Sequence, residues 1–281
     1  MSSFLAFNGE IISEAAFSVS PQSRAVRYGD GFFETLRTSN GHPLFLDAHW
    51  QRLQRTAKFL HIEIPKGLTK DKFVKLIADV CAANATPHSR MRIQFYRAGD
   101  GTYLPQTNEC DWVMHCSPLA TSVYKLNPKG LTVGLYPTCP VPVSPIGNHK
   151  TANALPYVLA SIYAKDKTWD DALLLNTQGF ITEATSSNLF LVKGNEVLTP
   201  DLAKGGLPGV MRARFIELAQ KNGFEVKTVS ITTKEMLWAD ECLFTNAISG
   251  LQWVLAFGQK RYFHRHADVF IKQLNQLAVL S

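Results

Sequence analysis

The stretch GNHKTANALPYVLA, residues 147–160, joins a proline-rich apolar segment to a sequence typical of a helix. Its lysine, Lys150, falls in the break between the two. Most lysines are solvated surface charges, and Lys150 taken alone fits that interpretation. A lysine fixed at such a junction can instead point into a pocket, where partial burial makes an amine nucleophilic. The rest of the chain decides between these alternatives.

Apolar periodicity on both sides of this stretch predicts a mixture of strands and helices. In the N-terminal half we expect strands at 3–7, 34–38, 91–98 and 111–117, and helices at 46–60 and 71–83. In the C-terminal half we expect strands at 131–136, 172–176, 189–193, 225–229 and 242–246, and helices at 153–165, 210–222, 232–238 and 268–280.

A polar stretch with turn residues, 120–130, separates the two halves. Since 281 residues suit one large domain or two moderate ones, the stretch predicts a domain boundary. We therefore expect an N-terminal α/β domain at 1–120, a linker at 121–130 and a C-terminal domain at 131–281.

Composition argues against several classes of protein. The formal net charge of +6 comes without a dense run of Lys and Arg, so no nucleic-acid partner is expected, and a small anionic ligand fits at least as well. No apolar run is long enough to span a bilayer, and residues 1–6 lack the features of a signal peptide. We therefore expect no membrane partner and a cytoplasmic location.

The five cysteines also carry a prediction. Their number is odd, and they are scattered without a C-x-x-C pair. This pattern argues against a disulfide framework and against a zinc site, so no metal is expected.

Three features of the C-terminal half supply different pieces of chemistry. Lys150 offers an amine. Glu183, in the segment TEATSSNLF at 182–190, could hold a proton on a ring nitrogen, although a solvated glutamate at a strand edge is the alternative. The segment GLPGVMR at 206–212 opens a predicted helix, whose first N–H groups suit a phosphate, although an ordinary loop is the alternative. Together they are the parts needed to hold pyridoxal phosphate.

The chain resembles the fold-type IV pyridoxal-phosphate enzymes, the class-IV aminotransferase family. That family includes branched-chain aminotransferases, D-amino acid aminotransferases and 4-amino-4-deoxychorismate lyases. The resemblance covers nearly the whole chain in the family's order, through RYGDGFFE at 27–34, HWQRL at 49–53, KTAN at 150–153, TEATSSNLF at 182–190, LTP at 198–200, LPGVMR at 207–212 and FTNAI at 244–248.

The resemblance implies a two-domain fold, with a smaller N-terminal α+β domain and a larger C-terminal mixed α/β, barrel-like domain that binds pyridoxal 5'-phosphate. It also implies a homodimer. Lys150 matches the lysine that binds the cofactor covalently and then moves the substrate proton. Glu183 matches the acid that pairs with the pyridine nitrogen.

The same resemblance implies a phosphate site. Arg52 matches the family's phosphate-binding arginine, although a solvated residue on an amphipathic helix is the alternative. Val210 and Met211 would donate backbone N–H groups to the phosphate. Asn246 and Ala247 match the segment that closes over it, where the family often has a hydroxyl residue.

Several segments bear on which member of the family the chain resembles. The loop at 97–105 lacks the histidine of the D-amino acid aminotransferases. The segment at 28–35 and the Asn246–Ala247 pair are closer to the lyases. Against the lyase, the loop after Arg97 is short, and Trp253 replaces a proline that is usual there. We expect aminodeoxychorismate lyase activity, with an aminotransferase acting on branched-chain or other amino acids as the alternative and a non-catalytic cofactor-binding protein as a remote one.

The expected substrate is a small anion that bears an amino group. Arg97, Tyr103 and Arg27 are candidates to meet its carboxylates, because a guanidinium matches a planar carboxylate. The alternative for each is surface solvation or structural pairing. Phe33 is a candidate for the pocket wall, with an ordinary core position as its alternative.

Overall fold

A computed structural model describes residues 3–279 of the chain. It divides into two compact units. The first comprises residues 3–123 together with Lys150–Asn153, and the second comprises Tyr124–His149 together with residues 154–279. The border at 123 and 124 falls inside the predicted linker, whose exact limits stay a prediction.

The first unit is built on one antiparallel sheet with the strand order β2-β1-β6-β5-β3-β4. Its strands are β1 (Phe4–Phe7), β2 (Glu10–Ser13), β3 (Gly31–Ser39), β4 (His42–Pro43), β5 (Ser89–Arg97) and β6 (Cys110–Pro118). Its helices are α1 (Arg24–Tyr28), α2 (Leu46–Phe59) and α3 (Lys70–Ala83).

The period-2 alternation of β5 separates the two faces of this sheet. Met91, Ile93 and Phe95 are fully buried in a core with apolar residues of α2 and α3. Arg92, which alternates with them, is only partly buried. The other face of the sheet therefore carries polar side chains such as Arg92.

The segment Lys150–Asn153 is attached to the beginning of β3. The N–H of Phe33 donates to the carbonyl of Lys150 at 2.9 Å, and the N–H of Ala152 donates to the carbonyl of Gly31 at 2.9 Å. An antiparallel bridge pairs Phe32 with Thr151 between these bonds. The backbone of Lys150 is thus fixed like a short additional strand, which explains why it belongs to the first unit.

The second unit contains a mixed sheet with the order β12-β11-β10-β13-β14-β7-β8-β9, and β15 pairs with β14. Its strands are β7 (Leu131–Val141), β8 (Asp171–Asn176), β9 (Ile181–Ala184), β10 (Asn188–Lys193), β11 (Glu196–Pro200), β12 (Glu225–Val229), β13 (Glu241–Asn246), β14 (Gly250–Phe257) and β15 (Lys260–Arg261). Its helices are α4 (Leu155–Asp166), α5 (Val210–Lys221), α6 (Thr233–Trp238) and α7 (Ala267–Val279).

The predicted helices and strands are all present, with ends that move by a few residues. A capping box begins α6, in which Thr232 and Glu235 bond reciprocally. The last residue of the predicted helix 268–280 lies outside the described residues. The sequence interpretation missed the short elements α1, β2, β4, β9 and β15 and the longer strands β11 and β14. Between residues 3 and 279, no helix combines the length and apolar character needed to cross a bilayer.

Candidate active site

In the first unit, the side chain of Lys150 lies against an aromatic ring. Its Nζ is 4.3 Å from the centroid of the Phe33 ring. The Cζ of Arg92 lies 3.7 Å from the same centroid. Phe33 and Lys150 are both half-buried. Phe33, predicted for the pocket wall, is therefore the residue that brings two cations together.

Thr35 follows Phe33 by two positions in β3, so both side chains lie on the same face of the strand. Its cross-strand partner is Arg92. Thr35 is 8% exposed, and its Oγ1 has no hydrogen-bond partner among the described residues. Since buried hydroxyls are nearly always paired, this atom marks a place that suits a ligand oxygen.

A buried ion pair sits on the opposite face of β3. Glu34 Oε1 accepts from Arg52 Nε at 2.7 Å, Oε2 accepts from Arg52 Nη2 at 2.8 Å, and His49 Nδ1 lies 2.9 Å from Oε2. Burial alone would raise the pKa of Glu34, but Arg52 and His49 hold it well below its usual range. Burial also lowers the pKa of His49, against the opposing effect of Glu34. Arg52 is 5% exposed, which excludes the solvated alternative.

In the second unit, Glu183 lies inside β9 and is 4% exposed, which excludes a solvated strand edge. Its Oε1 accepts from the hydroxyl of Tyr157 at 2.7 Å. Its Oε2 accepts from the backbone N–H of Leu207 at 3.1 Å and from Asn188 Nδ2 at 3.4 Å. Burial first, and the Glu183 carboxylate second, raise the pKa of Tyr157 far above its usual value, so that its hydroxyl stays a donor.

The glycine-rich loop leads from Glu183 to helix α5. Gly209 is the N-cap of α5, and no side chain of the described residues caps it. The helix begins at Val210 and Met211, whose N–H groups fall in the first turn and have no partner within the helix. A Cβ at Gly209 would lie 2.0 Å from Asn188 Oδ1. The loop therefore needs glycine at this point, and the first N–H groups of α5 are of the kind that suits an anion.

The turn between β13 and β14 is held by Asn246. Its Oδ1 accepts from the N–H groups of Ile248 at 2.9 Å and Ser249 at 2.8 Å, and its Nδ2 donates to Ser187 Oγ at 2.9 Å. The preceding residue, Thr245, is 3% exposed, and its Oγ1 has no hydrogen-bond partner within residues 3–279. Asn246 thus shapes the backbone of the turn next to a buried hydroxyl that lacks a partner.

The remaining predicted substrate residues divide into two groups. Arg97 is 7% exposed, and its guanidinium donates to Asp30 at 3.0 Å, to the carbonyls of Leu60 and His61 at 2.7 and 2.8 Å, and to Asn108 at 2.6 Å. These contacts favour the structural alternative for Arg97.

Arg27 and Tyr103 are both exposed, and each lies next to Tyr28. The Arg27 Cζ lies 5.1 Å from the Tyr28 ring centroid, and the Tyr103 ring centroid lies 5.7 Å from it. Tyr28 is thus a shared neighbour of the two predicted residues, and their contact with substrate stays a prediction.

The sequence interpretation singled out none of the roles of Arg92, Thr35, Tyr157 or Asn188. Strand alternation from Phe33 and across β5 would have placed Thr35 and Arg92 on one face. No local pattern would have found Tyr157, because its partner Glu183 is 26 residues away in the sequence.

Comparisons with known proteins place the chain in a family. The family model described as amino-transferase class IV matches residues 31–257, and the chain belongs to that family. It is 31% identical over 273 residues to a protein of Methanocaldococcus jannaschii provisionally named branched-chain-amino-acid aminotransferase, covering 96% of this chain and 93% of that one. It is 29% identical over 232 residues to an aminodeoxychorismate lyase of Vibrio harveyi, covering 81% and 83%.

A solved structure confirms the expected fold class. The branched-chain aminotransferase from Thermoproteus uzoniensis superposes with a TM-score of 0.88 at 22% identity, covering 98% of this chain and 94% of that one. The chain is accordingly a pyridoxal-phosphate-dependent enzyme of the class-IV family with the two-domain, fold-type IV architecture.

Each unit, taken by itself, offers groups of the kind that pyridoxal phosphate needs. Glu183 is a buried carboxylate that can face a ring nitrogen. The start of α5 offers backbone N–H groups, and Thr245 Oγ1 offers a hydroxyl without a described partner. Lys150 provides an amine on a fixed backbone.

Proposed function

We propose that the chain is an aminodeoxychorismate lyase, which converts 4-amino-4-deoxychorismate to p-aminobenzoate and pyruvate and so supplies folate synthesis. The observation that carries this choice is the Asn246 turn. A carboxamide there bonds two backbone N–H groups and Ser187 at the same time, which a hydroxyl side chain is too small to do. The built-in asparagine matches the lyase form of the segment rather than the hydroxyl form.

In this proposal Lys150 holds the cofactor covalently and then takes the proton from the amine-bearing carbon of the substrate. Glu183 pairs with the pyridine nitrogen. Arg52 and the backbone N–H groups of Val210 and Met211 hold the phosphate, and the turn at 246–247 closes over it.

When bound, pyridoxal phosphate withdraws electrons from the amine-bearing carbon. Lys150 Nζ receives the proton of that carbon, and the bond from the neighbouring ring carbon to the enolpyruvyl oxygen then breaks. The released enolpyruvate takes up a proton and becomes pyruvate, while the ring becomes aromatic. Atoms balance, and no second substrate is required.

The substrate carries two carboxylates, so cations must face it. Arg92 is the cation that shares the Phe33 ring with Lys150, and Thr35 Oγ1 lies on the same face of the strand. We assign these two residues to one substrate carboxylate. Arg27 and Tyr103 are further candidates for the other, and Arg97 is a weaker one.

The second candidate is an aminotransferase that acts on branched-chain or other amino acids. The observation in its favour is the 31% identity to the M. jannaschii protein. Such an enzyme uses the same proton transfer by Lys150 but requires a keto acid as acceptor. We further propose that the protein is a cytoplasmic homodimer, the assembly that the family resemblance implies.

A product assay tests the function. The cofactor-loaded protein is incubated with 4-amino-4-deoxychorismate without a keto acid, and p-aminobenzoate fluorescence and pyruvate are followed. Turnover that falls by at least about 100-fold in Lys150→Ala supports the lyase. If the wild-type protein instead transfers amino groups from amino acids to keto acids and leaves aminodeoxychorismate intact, the lyase assignment is wrong and the aminotransferase stands.

A further inference from the structure

Two of the five cysteines lie side by side in the first unit. Cys81 belongs to the last turn of α3, and Cys116 belongs to β6. The Sγ of Cys116 lies 4.0 Å from the carbonyl oxygen of Val80, the residue before Cys81, and the two thiols share a hydrogen bond. The packing of α3 on the sheet therefore brings together two sulfurs that are far apart in the sequence. We call these two residues the cysteine pair.

The members of the cysteine pair differ in their access to solvent. Cys116 is half-buried, whereas Cys81 is 2% exposed and belongs to the apolar core. A small oxidant that diffuses in water can therefore reach Cys116 and is kept away from Cys81. Cys81 is placed to react with its neighbour alone.

Hydrogen bonds around the pair favour the ionised form of Cys116. Thr86 Oγ1 lies 3.2 Å from Cys116 Sγ. The hydrogen bonds of the Cys81 thiol and of Thr86 lower the pKa of Cys116, against the opposing effect of partial burial. The bond to Cys116, together with burial, raises the pKa of Cys81 far above its usual value. The pair therefore carries its first negative charge on the sulfur that solvent reaches, and the thiolate is the reactive form of a cysteine.

Another cysteine of the first unit shows the opposite behaviour. The Sγ of Cys110 donates to the carbonyl of Glu63 at 3.3 Å, and burial raises the pKa of this thiol to about 12. A thiol that stays protonated is a poor nucleophile. The reactivity expected of Cys116 therefore comes from its particular neighbours and not from its position in the first unit.

We propose that the cysteine pair is a reversible oxidation site, at which a hydroperoxide converts the two thiols into one disulfide. Both thiols are free in the structure, which corresponds to the reduced form of such a site. One reversible bond is compatible with a fold that needs no disulfide framework, because the two side chains already pack together in the reduced form. The proposal concerns the first unit alone and goes beyond the proposed lyase reaction.

The oxidation takes two steps, in which atoms and electrons balance. The Cys116 thiolate attacks one oxygen of hydrogen peroxide, the O–O bond breaks, and the hydroxide that leaves takes up a proton to become water. Cys116 is now a sulfenic acid. The sulfur of Cys81 then attacks the sulfur of Cys116, the S–S bond forms, and the thiol proton leaves with the hydroxyl group as a second water. One peroxide has accepted two electrons from two thiols.

The second step protects Cys116 from irreversible damage. A sulfenic acid that meets no thiol is oxidised further to a sulfinic acid, which thiol reductants do not reverse. Because Cys81 is already hydrogen-bonded to Cys116, the disulfide forms before this occurs. A dithiol reductant then restores both thiols by exchange.

Peptide mapping of the cofactor-loaded protein tests the proposal. The protein is treated with a small excess of hydrogen peroxide at neutral pH, free thiols are blocked with iodoacetamide, and the unreduced digest is examined by mass spectrometry. We expect most of the protein to yield a crosslinked peptide that joins Cys81 to Cys116 and that dithiothreitol removes. The absence of this crosslink, or crosslinks that involve other cysteines instead, overturns the proposal.

Three variants separate the roles of the two sulfurs. Cys81→Ser should leave a sulfenic acid on Cys116 that dimedone traps, and should accumulate the sulfinic acid that the wild type avoids. Cys116→Ser should leave Cys81 unoxidised at the same peroxide concentration. Cys110→Ser is the matched control, since it removes a buried thiol of the same unit, and it should form the crosslink as the wild type does. Oxidation of Cys81 in Cys116→Ser to the wild-type extent overturns the assignment.

Alkylation of the wild-type protein covers the case in which a variant fails to fold. An ordinary thiol, with a pKa of about 8.5, reacts faster with iodoacetamide as the pH rises to about 9. The labelling rate of Cys116 should instead level off below about pH 8. A rate that keeps rising to about pH 9 overturns the proposal. Both readouts are independent of turnover, so a failed lyase assay would contradict the proposed function and leave this site intact.

Discussion

Glu34 holds the guanidinium of Arg52 through two parallel hydrogen bonds of 2.7 and 2.8 Å, and both residues are buried. Glu34 comes from β3 and Arg52 from α2, so the pair joins the helix to the strand. Because a guanidinium is planar and donates two parallel bonds, the carboxylate holds it in one orientation. It could not fix the ammonium group of a lysine in this way. The orientation of the proposed phosphate-binding residue is thus set by the strand that also carries Phe33.

Replacing one partner of this pair should destabilise the protein strongly. Glu34→Gln leaves a buried cation without its counter-charge, and we expect the free energy of unfolding to fall by about 3–5 kcal/mol. Urea unfolding followed by fluorescence measures the change. Glu217→Gln is the control, since its ion pair with Arg214 is largely exposed and should contribute less than about 1 kcal/mol. Equal losses in the two variants would contradict the assignment of a structural role to Glu34.

The same pair predicts a dependence of stability on pH. The pKa of Glu34 in the folded protein lies below its ordinary value of 4.5, so the unfolded chain takes up the proton first. The stabilisation is therefore fully present above about pH 5 and declines as the pH falls through 4 toward the lowered pKa. Unfolding measured from pH 7 to pH 3 should show this decline, and Glu34→Gln should show a smaller one. A variant with the wild-type slope would contradict this explanation.

Part of the candidate site could be predicted from the sequence, and part could not. Lys150 and Glu183 stand in segments with distinct local patterns, so both could be singled out without coordinates. Arg52 and Glu34 also belong to recognisable segments, but nothing local shows that the two side chains pair, because the pairing depends on how α2 packs on β3. Arg97 was predicted to bind a substrate carboxylate because it is an arginine at the entrance to a loop. In the folded chain its guanidinium instead donates hydrogen bonds to Asp30, Asn108 and two backbone carbonyls.

The Tyr157 hydroxyl is predicted to support the Glu183 carboxylate. Tyr157→Phe removes the donor to Oε1 and leaves a buried carboxylate with one partner fewer, so we expect a loss of about 1–3 kcal/mol in stability and weaker cofactor binding. Thermal unfolding and cofactor titration by absorbance measure the two effects. Tyr163→Phe, in the same helix, is the control and should change neither by much. An unaltered cofactor affinity in Tyr157→Phe would show that Glu183 does not depend on this bond.

Arg92 is predicted to determine substrate affinity. If it meets a substrate carboxylate, Arg92→Gln should raise KM by roughly 10–100-fold, since a hydrogen bond to a charged group contributes about 1.5–3 kcal/mol. The absorbance spectrum of the bound cofactor should stay unchanged. Arg90→Gln is the control, because Arg90 lies two residues away on the same strand face and is exposed. A similar rise in both variants would indicate a general effect of charge rather than a contact by Arg92.

Contacts between distant parts of the chain explain why the sequence did not reveal all the candidate site residues of the second unit. Asn188 lies in the segment 182–190, which was singled out for Glu183, but its side chain bridges Glu183 and the carbonyl of Leu207, from two different parts of the chain. Thr245 was not distinguished at all, because a threonine in a buried strand is ordinary until its hydroxyl proves to lack a partner.

The glycine loop gives a last prediction. The backbone of Gly209 has φ −67° and ψ 142°, which any residue can adopt, so only the space around it requires glycine. A Cβ would lie 2.0 Å from Asn188 Oδ1, and Asn188 cannot withdraw without breaking its 2.8 Å bond to Leu207. Gly209→Ala should therefore shift the start of α5 and weaken cofactor binding by roughly 5- to 150-fold, in line with an overpacking cost of about 1–3 kcal/mol. Gly206→Ala is the control in the same loop, because its Cβ would meet Thr182 O at an ordinary 3.4 Å. Cofactor titration by absorbance compares the two variants, and equal affinities would mean that the helix start does not hold the phosphate.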